Sequence, residues 1–206
     1  MRAVRLRLGE RRDMKVSLGR KTLILPSPAW VVGTYDANGK ANAMTAAWGG
    51  ICCSKPPSVC VSLREATYTY GAIVDRRAFT VNVPSADQVQ LADYLGIASG
   101  RDVDKLAVAG LNAVRAEHVD APRIDDFPLS LECALIHTMK IGLHTLFVGE
   151  IRDVIADESI LNEKGRPSIE KLNPPVFSTG EAAYYGIGAS LGPAFEIGKA
   201  LQTDGE

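Results

Sequence analysis

Polar side chains interrupt otherwise strand-like runs at Asn42, Thr45, Ser62, Arg64, Thr67 and Asn82. Hydroxyls and amide hydrogens satisfy phosphate oxygens, and Arg64 adds a planar cationic fork, so a rim carrying these groups suits a phosphorylated ligand. Ordinary turn and edge roles explain the same residues when each is taken alone. Trp30, Trp48, Tyr68, Tyr184 and Tyr185 offer flat faces for stacking on a ring system, though each also fits a core or an interface. His118, His137 and His144 match no short metal-ligand spacing, and a structural or surface role is the simpler reading of the first two. The sequence has no GxSxG elbow, P-loop, HExxH or strand-following GxGxxG; Gly186-Ile187-Gly188 does not continue into that last pattern. Cys52, Cys53, Cys60 and Cys133 form no CxxC pair and read as reduced, mostly buried thiols.

Side chains like these must be held by a folded core, and 206 residues allow one sizeable domain or at most two small ones. A hydrophobic content of 46% and a charged content of 23% are those of an ordinary globular protein. The formal net charge of −1 hides an asymmetry. Residues 1 to 21 carry eight basic and two acidic side chains, leaving 15 basic and 22 acidic in the rest. An acidic body argues against broad nucleic-acid binding, and no apolar run approaches a membrane-spanning length. The start lacks a signal-peptide pattern, so a cytoplasmic location with no membrane partner is expected.

Most of the chain reads as strands and turns. WVVGTY is rich in aromatic and β-branched residues, and Asn38-Gly39 marks a hairpin that returns through residues 41–47. In SVCVSL the alternation puts Val59, Val61 and Leu63 on one face. A short helix over Thr67 to Val74 precedes the strand AFTVNV, and Ser85 caps a helix carrying Leu91 and Leu95. After Ser99-Gly100 a further helix is expected with Val103, Leu106 and Ala107 facing inward. Residues 129–157 form the largest reservoir of sheet core, with Gly142 and Gly149 at turns or close approaches. A docked short helix beginning near Pro193 would end the chain, and Val4 to Gly9 reads as an extended or disordered arm. So many strands with few helices favour a closed or partly closed antiparallel barrel over the runner-up, an open α+β sheet.

The segments Pro26 to Asp36, Gly39 to Trp48, Lys55-Pro56-Pro57 and Phe79 to Pro84 resemble, in order, the flavin reductase-like FMN-binding split-barrel family, in its flavoredoxin branch. The resemblance runs from about residue 14 to 200, through Asp104-Lys105-Leu106, His144 to Glu150 and Tyr184-Tyr185. It implies a mainly-β fold: a Greek-key antiparallel split barrel with short peripheral helices over residues 14–206. Residues 1–13 would then be an N-terminal extension. It also implies a homodimer with FMN near the subunit interface. By matching position, Asn42, Ala43, Met44, Thr45, Ala46, Ala47 and Trp48 would line the isoalloxazine, with backbone amides from Thr45 onward meeting ring heteroatoms. Ser62, Leu63, Arg64, Tyr68 and Thr69 would hold the phosphate and ribityl side, Arg64 foremost. Lys105 would add charge near phosphate or ring, Asn82 would support the cofactor side of its strand, and Tyr184 or Tyr185 would close the pocket. His144 stands in a strand motif of the branch and is a candidate for orienting a site group, although a packed structural role is the simpler one.

The activity so implied is that of a flavoredoxin-like oxidoreductase passing electrons through bound FMN, with no protein nucleophile, because the flavin carries the redox chemistry. NAD(P)H or a redox protein would be the donor. An NAD(P)H:flavin oxidoreductase supplying reduced flavin to a partner is the alternative enzyme. A noncatalytic FMN carrier or a structural dimer is the alternative from another class.

Overall fold

The computed structural model describes residues 15–202; the arm expected at Val4 to Gly9 and the whole N-terminal extension expected over residues 1–13 lie outside them. In chain order the elements are β1 (Ser27–Pro28), β2 (Trp30–Tyr35), β3 (Ala41–Ala46), β4 (Gly49–Ser54), β5 (Pro57–Arg64), α1 (Tyr68–Arg76), β6 (Ala78–Val83), α2 (Val89–Ile97), α3 (Lys105–Ala109) and β7 (Ala113–Arg115). They continue as β8 (Pro122–Ile124), β9 (Leu129–Ile141), β10 (His144–Ala156), α4 (Ile169–Leu172), β11 (Val176–Ser178) and β12 (Ala183–Tyr185). Seven strands form one antiparallel sheet in the order β3-β2-β6-β9-β10-β5-β4. Its two edge strands, β3 and β4, are consecutive in sequence, so the Ala47-Trp48 link draws the edges together. The Ser62 amide donates to the Trp48 carbonyl at 2.7 Å, continuing the β4–β5 ladder and tying that link to β5. The chain is a mainly-β split barrel with short peripheral helices, as the sequence predicts.

Strand periodicity sets the two cores. On β2, Val32 points into the barrel with Val59, Val61, Leu63, Phe79, Val81 and Phe147. Val31 points the other way, against Ala92 and Leu95 of α2, Leu106 of α3, Ile124 and Phe127. The expected face of Val59, Val61 and Leu63 is thus the barrel interior. The Asn38-Gly39 hairpin is real but wider than two residues. Asp36 bonds back to Lys40 through the backbone, its carboxylate accepts from the Asn38 and Lys40 amides, and Gly39 supplies a φ of 79°.

Gly149 marks a close approach in β10. A Cβ there would lie 2.6 Å from the ring of the fully buried Phe79 and 2.9 Å from Cys133 Cβ. Gly149→Ala should therefore cost about 1–3 kcal/mol by overpacking, read as a lower urea midpoint with an unchanged denaturant slope. Wild-type stability in this variant would show that the sheet yields there.

Four expectations need correction. The helix after Ser99-Gly100 starts only at Lys105, so Val103 precedes it and is exposed, and Ala107 faces solvent; Lys105 and Leu106 are its buried residues. Asp104 caps it by accepting from the Ala107 amide at 3.1 Å, which places the lysine at the first, inward-facing position. The C-terminal segment is a 3-10 turn over Ile197–Leu201 with no buried residue, because none of the described residues covers it. Of the cysteines only Cys133 is buried; Cys52 and Cys53 are exposed on β4, a sheet edge, and Cys60 is half-buried. Finally, Asn82 is a structural node, not a cofactor contact. It is fully buried, donates to the Val31 carbonyl at 3.0 Å and to Thr80 Oγ1 at 2.9 Å, and accepts from the Ile124 amide and Ser130 Oγ. Every polar position of its amide is thus committed inside the sheet.

Candidate flavin site

Two cavities of about 310 Å³ each lie side by side over β3, sharing Gly96 and Ile97 from the end of α2. Short side chains on β3 make the room, and the link after it keeps Ala47 against the second cavity. Thr45 anchors the helix to the strand by donating to the Ala92 carbonyl. At Gly96 an added Cβ would stand 3.3 Å from Thr45 Cβ, and at Gly100 it would press into Asn42 and within 2.6 Å of the Tyr68 ring. Glycine is required at position 100 because the loop after α2 passes directly over the start of α1.

The first cavity has two unlike ends. One is formed by Thr67, Tyr68, Thr69, Ser99 and Arg101. Here α1 begins; the first amides of a helix have no partner inside it. Thr67 does not cap them, since its hydroxyl donates instead to the Arg64 carbonyl at 2.9 Å. The Arg101 guanidinium sits 5.6 Å from the centre of the Tyr68 ring and bonds the Ala66 carbonyl at 2.9 Å. Cation, amides and hydroxyls together suit a phosphate. Tyr68 is held in turn by its hydroxyl bond to Asp36 at 2.9 Å, and this bond, with burial, raises the phenol above its ordinary range.

The other end carries Met44, Leu95 and Ile97, with Lys105 beneath. Lys105 is only 4% exposed, yet the one hydrogen bond of its ammonium is to the Leu95 carbonyl at 2.9 Å. Among the described residues no carboxylate pairs with it, and burial pulls its pKa down to about 8. A buried cation without a counter-ion is costly, and an anionic or carbonyl-rich ligand would relieve it. Thr69 is buried and accepts from Asn42 Nδ2 at 3.0 Å, so those two act on the cavity by holding its wall.

In the second cavity Phe177 and Tyr184 lie 5.4 Å apart opposite Thr45 and Ala47. Tyr184 donates to Asp93 at 3.0 Å, and burial together with that bond pushes its phenol up to about 12.

The structure thus gathers Met44, Thr45, Ala47, Tyr68, Thr69, Lys105 and Tyr184 around the paired cavities. Ala43, Ala46 and Leu63 turn their side chains into the cores. Ser62 lies on the barrel exterior with its amide on the Trp48 carbonyl. Trp48, 42% exposed, stacks on His144 at 5.1 Å with planes 8° apart. Arg64 ends β5 exposed, outside both cavities, three residues before Thr67. Thr67, one of the polar residues expected on a phosphate-binding rim, does line the first cavity, whereas sequence reading missed Arg101, Gly96, Ile97 and Phe177. A cation four residues before a lysine already singled out was the available signal for Arg101; nothing local distinguished Phe177.

The barrel is that of a flavin-binding oxidoreductase class: the chain belongs to the flavin reductase-like domain family, whose model matches residues 21–181. Within it the chain stands in the flavoredoxin branch. It is similar to the flavoredoxin of Desulfovibrio vulgaris (Miyazaki F), with 51% identity, a TM-score of 0.87, and coverage of 90% of this chain and 100% of that one. The flavoredoxin of Methanosarcina acetivorans is 30% identical with a TM-score of 0.85, covering 91% of this chain and 99% of the other. An uncharacterised protein of Aeropyrum pernix is 30% identical over 148 residues, 71% of this chain and 56% of its own length, so the match spans little more than half of that relative. The chain is an FMN-binding, flavoredoxin-like oxidoreductase.

Arg101→Ala should weaken FMN binding about tenfold, the loss of one charge-assisted phosphate contact. Arg64→Ala should weaken it less, since that guanidinium lies outside the cavity. Fluorescence titration of the apoprotein with FMN measures both, and an unchanged affinity in Arg101→Ala would move the phosphate elsewhere.

Proposed function

We propose that FMN lies along the two cavities, phosphate against Thr67, Thr69 and Arg101, and isoalloxazine over Met44, Thr45 and Ala47 beside Lys105. The observation that carries this reading is the polarity of the first cavity: helix amides, hydroxyls and a cation at one end, an apolar end with a buried ammonium at the other. Bound FMN supplies the redox chemistry, and the protein orients it and sets the charge around it. Lys105 would favour added negative charge at the ring's carbonyl edge, because its ammonium has no other anion to meet. Phe177 and Tyr184 would exclude water from one side.

The donor is a redox protein or NAD(P)H, and the bound-flavin, flavoredoxin-like role is favoured over release of reduced flavin. The first cavity, half-open between α2, α3 and the start of α1, offers a ligand grips at two unlike ends, which favours retention. The working unit we infer is a homodimer. Leu191 and Phe195, 94% and 93% exposed, lie on a C-terminal arm that finds no partner surface among the described residues. Among the described residues no helix is long and apolar enough to cross a membrane.

One experiment tests the assignment in stages. Purified protein should be yellow and release one FMN per chain on denaturation; a colourless protein with no FMN affinity would end the proposal. Anaerobic mixing with NADH, NADPH and a reduced ferredoxin-type protein should then bleach the flavin band. Bleaching by the redox protein alone identifies electron carriage, whereas rapid bleaching by NAD(P)H followed by loss of free flavin on gel filtration identifies the flavin-supplying alternative.

A further inference from the structure

Three of the four cysteines meet on one hairpin, β4 paired with β5, and none of them lines either proposed flavin cavity. On β5, Cys60 alternates with the inward Val59 and Val61 and so faces out of the barrel. Opposite it stands Gly50, where an added Cβ would meet nothing within 4 Å, so the space on that side is open. The pairing slips just beyond. Ile51 faces Val59 and Cys53 faces Ser58, which leaves Cys52 as the extra residue of a β-bulge. A bulge bends its strand and re-aims a side chain, here towards Cys60. Burial, then the Cys60 sulfur and after it Cys53, hold the Cys52 thiol above its ordinary range. No disulfide joins any of these residues: Cys52 and Cys53 are exposed at the sheet edge and Cys60 is half-buried.

Two adjacent thiols resist losing both protons because the thiolates repel, and a cation between them removes that penalty. The number of donors selects the cation. Structural zinc takes four ligands, and among the described residues no group of three or more His, Cys, Asp and Glu side chains could hold a metal. Thiolates select soft ions such as Cu(I), and a closed-shell monovalent ion accepts two sulfurs in line. Diagonal neighbours across a sheet lie about 7–8 Å apart, at or beyond the span of a disulfide, whereas an ion between the sulfurs lengthens the bridge. We propose that Cys52 and Cys60 form a two-coordinate site for a soft monovalent cation of the Cu(I) class. Binding is coordination without electron transfer: the ion bonds both sulfurs, two thiol protons leave to solvent, and the bis-thiolate complex carries one negative charge. The site does not depend on where the flavin lies.

The experiment is an anaerobic titration of the protein as purified with Cu(I) held by bathocuproine disulfonate, read as loss of that complex's visible band. One ion per chain should transfer. From pH 6 to pH 7 the transfer constant should rise about a hundredfold, because two protons are released. Cys52→Ser and Cys60→Ser should each weaken binding at least about a hundredfold, and the pH dependence should fall to about tenfold per unit, one proton. Cys53→Ser should leave both unchanged. Urea midpoints equal to wild type show that the variants keep the fold, and Cys60→Ala repeats the test where a serine hydroxyl disturbs the half-buried position. Four results would overturn the proposal: no transfer to the wild-type protein, a one-proton dependence in wild type, a loss in Cys53→Ser as large as that in Cys52→Ser, or a disulfide already joining Cys52 to Cys60. The last would appear as two titratable thiols after denaturation where four are expected.

Discussion

Lys105→Met should abolish tight FMN binding, with an affinity loss of at least about a hundredfold, while the variant apoprotein unfolds at higher urea than wild type. Both effects come from one arrangement. The ammonium is buried, desolvated and held by a single carbonyl, so in the empty protein it is a cost and in the loaded protein an attraction. The same arrangement sets a pH dependence. Because the folded pKa, about 8, lies below the ordinary lysine value of 10.5, the unfolded chain binds more protons between them. Apoprotein stability therefore rises as pH climbs from about 8 towards 10.5. FMN affinity runs the opposite way, since the ligand favours the protonated amine. Binding should be about tenfold weaker at pH 9 than at pH 7 in wild type, a slope set by one proton per pH unit, and flat in Lys105→Met. Equal slopes in the two proteins would remove Lys105 from the ring environment.

Asn82→Ala should behave in the contrary manner, unfolding the protein without touching the ligand. It strands the buried Ile124 amide and Ser130 hydroxyl and opens space between β2, β6 and β9. The expected cost is about 3–5 kcal/mol, several lost buried hydrogen bonds together. A urea titration gives the loss directly. FMN affinity of the folded fraction should match wild type, and a parallel loss of affinity would return Asn82 to the cofactor site.

The contrast between these two residues shows what sequence could and could not reveal. Alternation in SVCVSL and the aromatic, β-branched run of WVVGTY made the barrel strands legible, because strands with a buried face enforce such patterning. Asn82 stood in such a strand as a polar interruption, and a polar interruption has two physical explanations. It can face a ligand, or it can satisfy backbone from a distant segment, here Ile124, forty-two positions later. Only tertiary proximity separates them. Lys105 was recognisable through the Asp104-Lys105-Leu106 segment, yet its burial follows from where α3 starts, and the pattern placed that start too early. Arg101 was passed over because a loop cation between glycine and aspartate looks solvated until the ring of Tyr68 is brought under it. The exposed cysteines were misjudged for a related reason: apolar composition gives no sign that β4 is an edge.

The link between β3 and β4 joins the first and last strands of the sheet, and the Ser62 amide bonded to the Trp48 carbonyl fastens it. The segment proposed to lie beneath the isoalloxazine is therefore also the seam of the barrel. Loosening the floor of the site means unzipping the wall, so the two events share one opening free energy. A single backbone proton, exchanging with deuterium at Ser62, would keep time for both, slowing when flavin is loaded and quickening when the seam is cut.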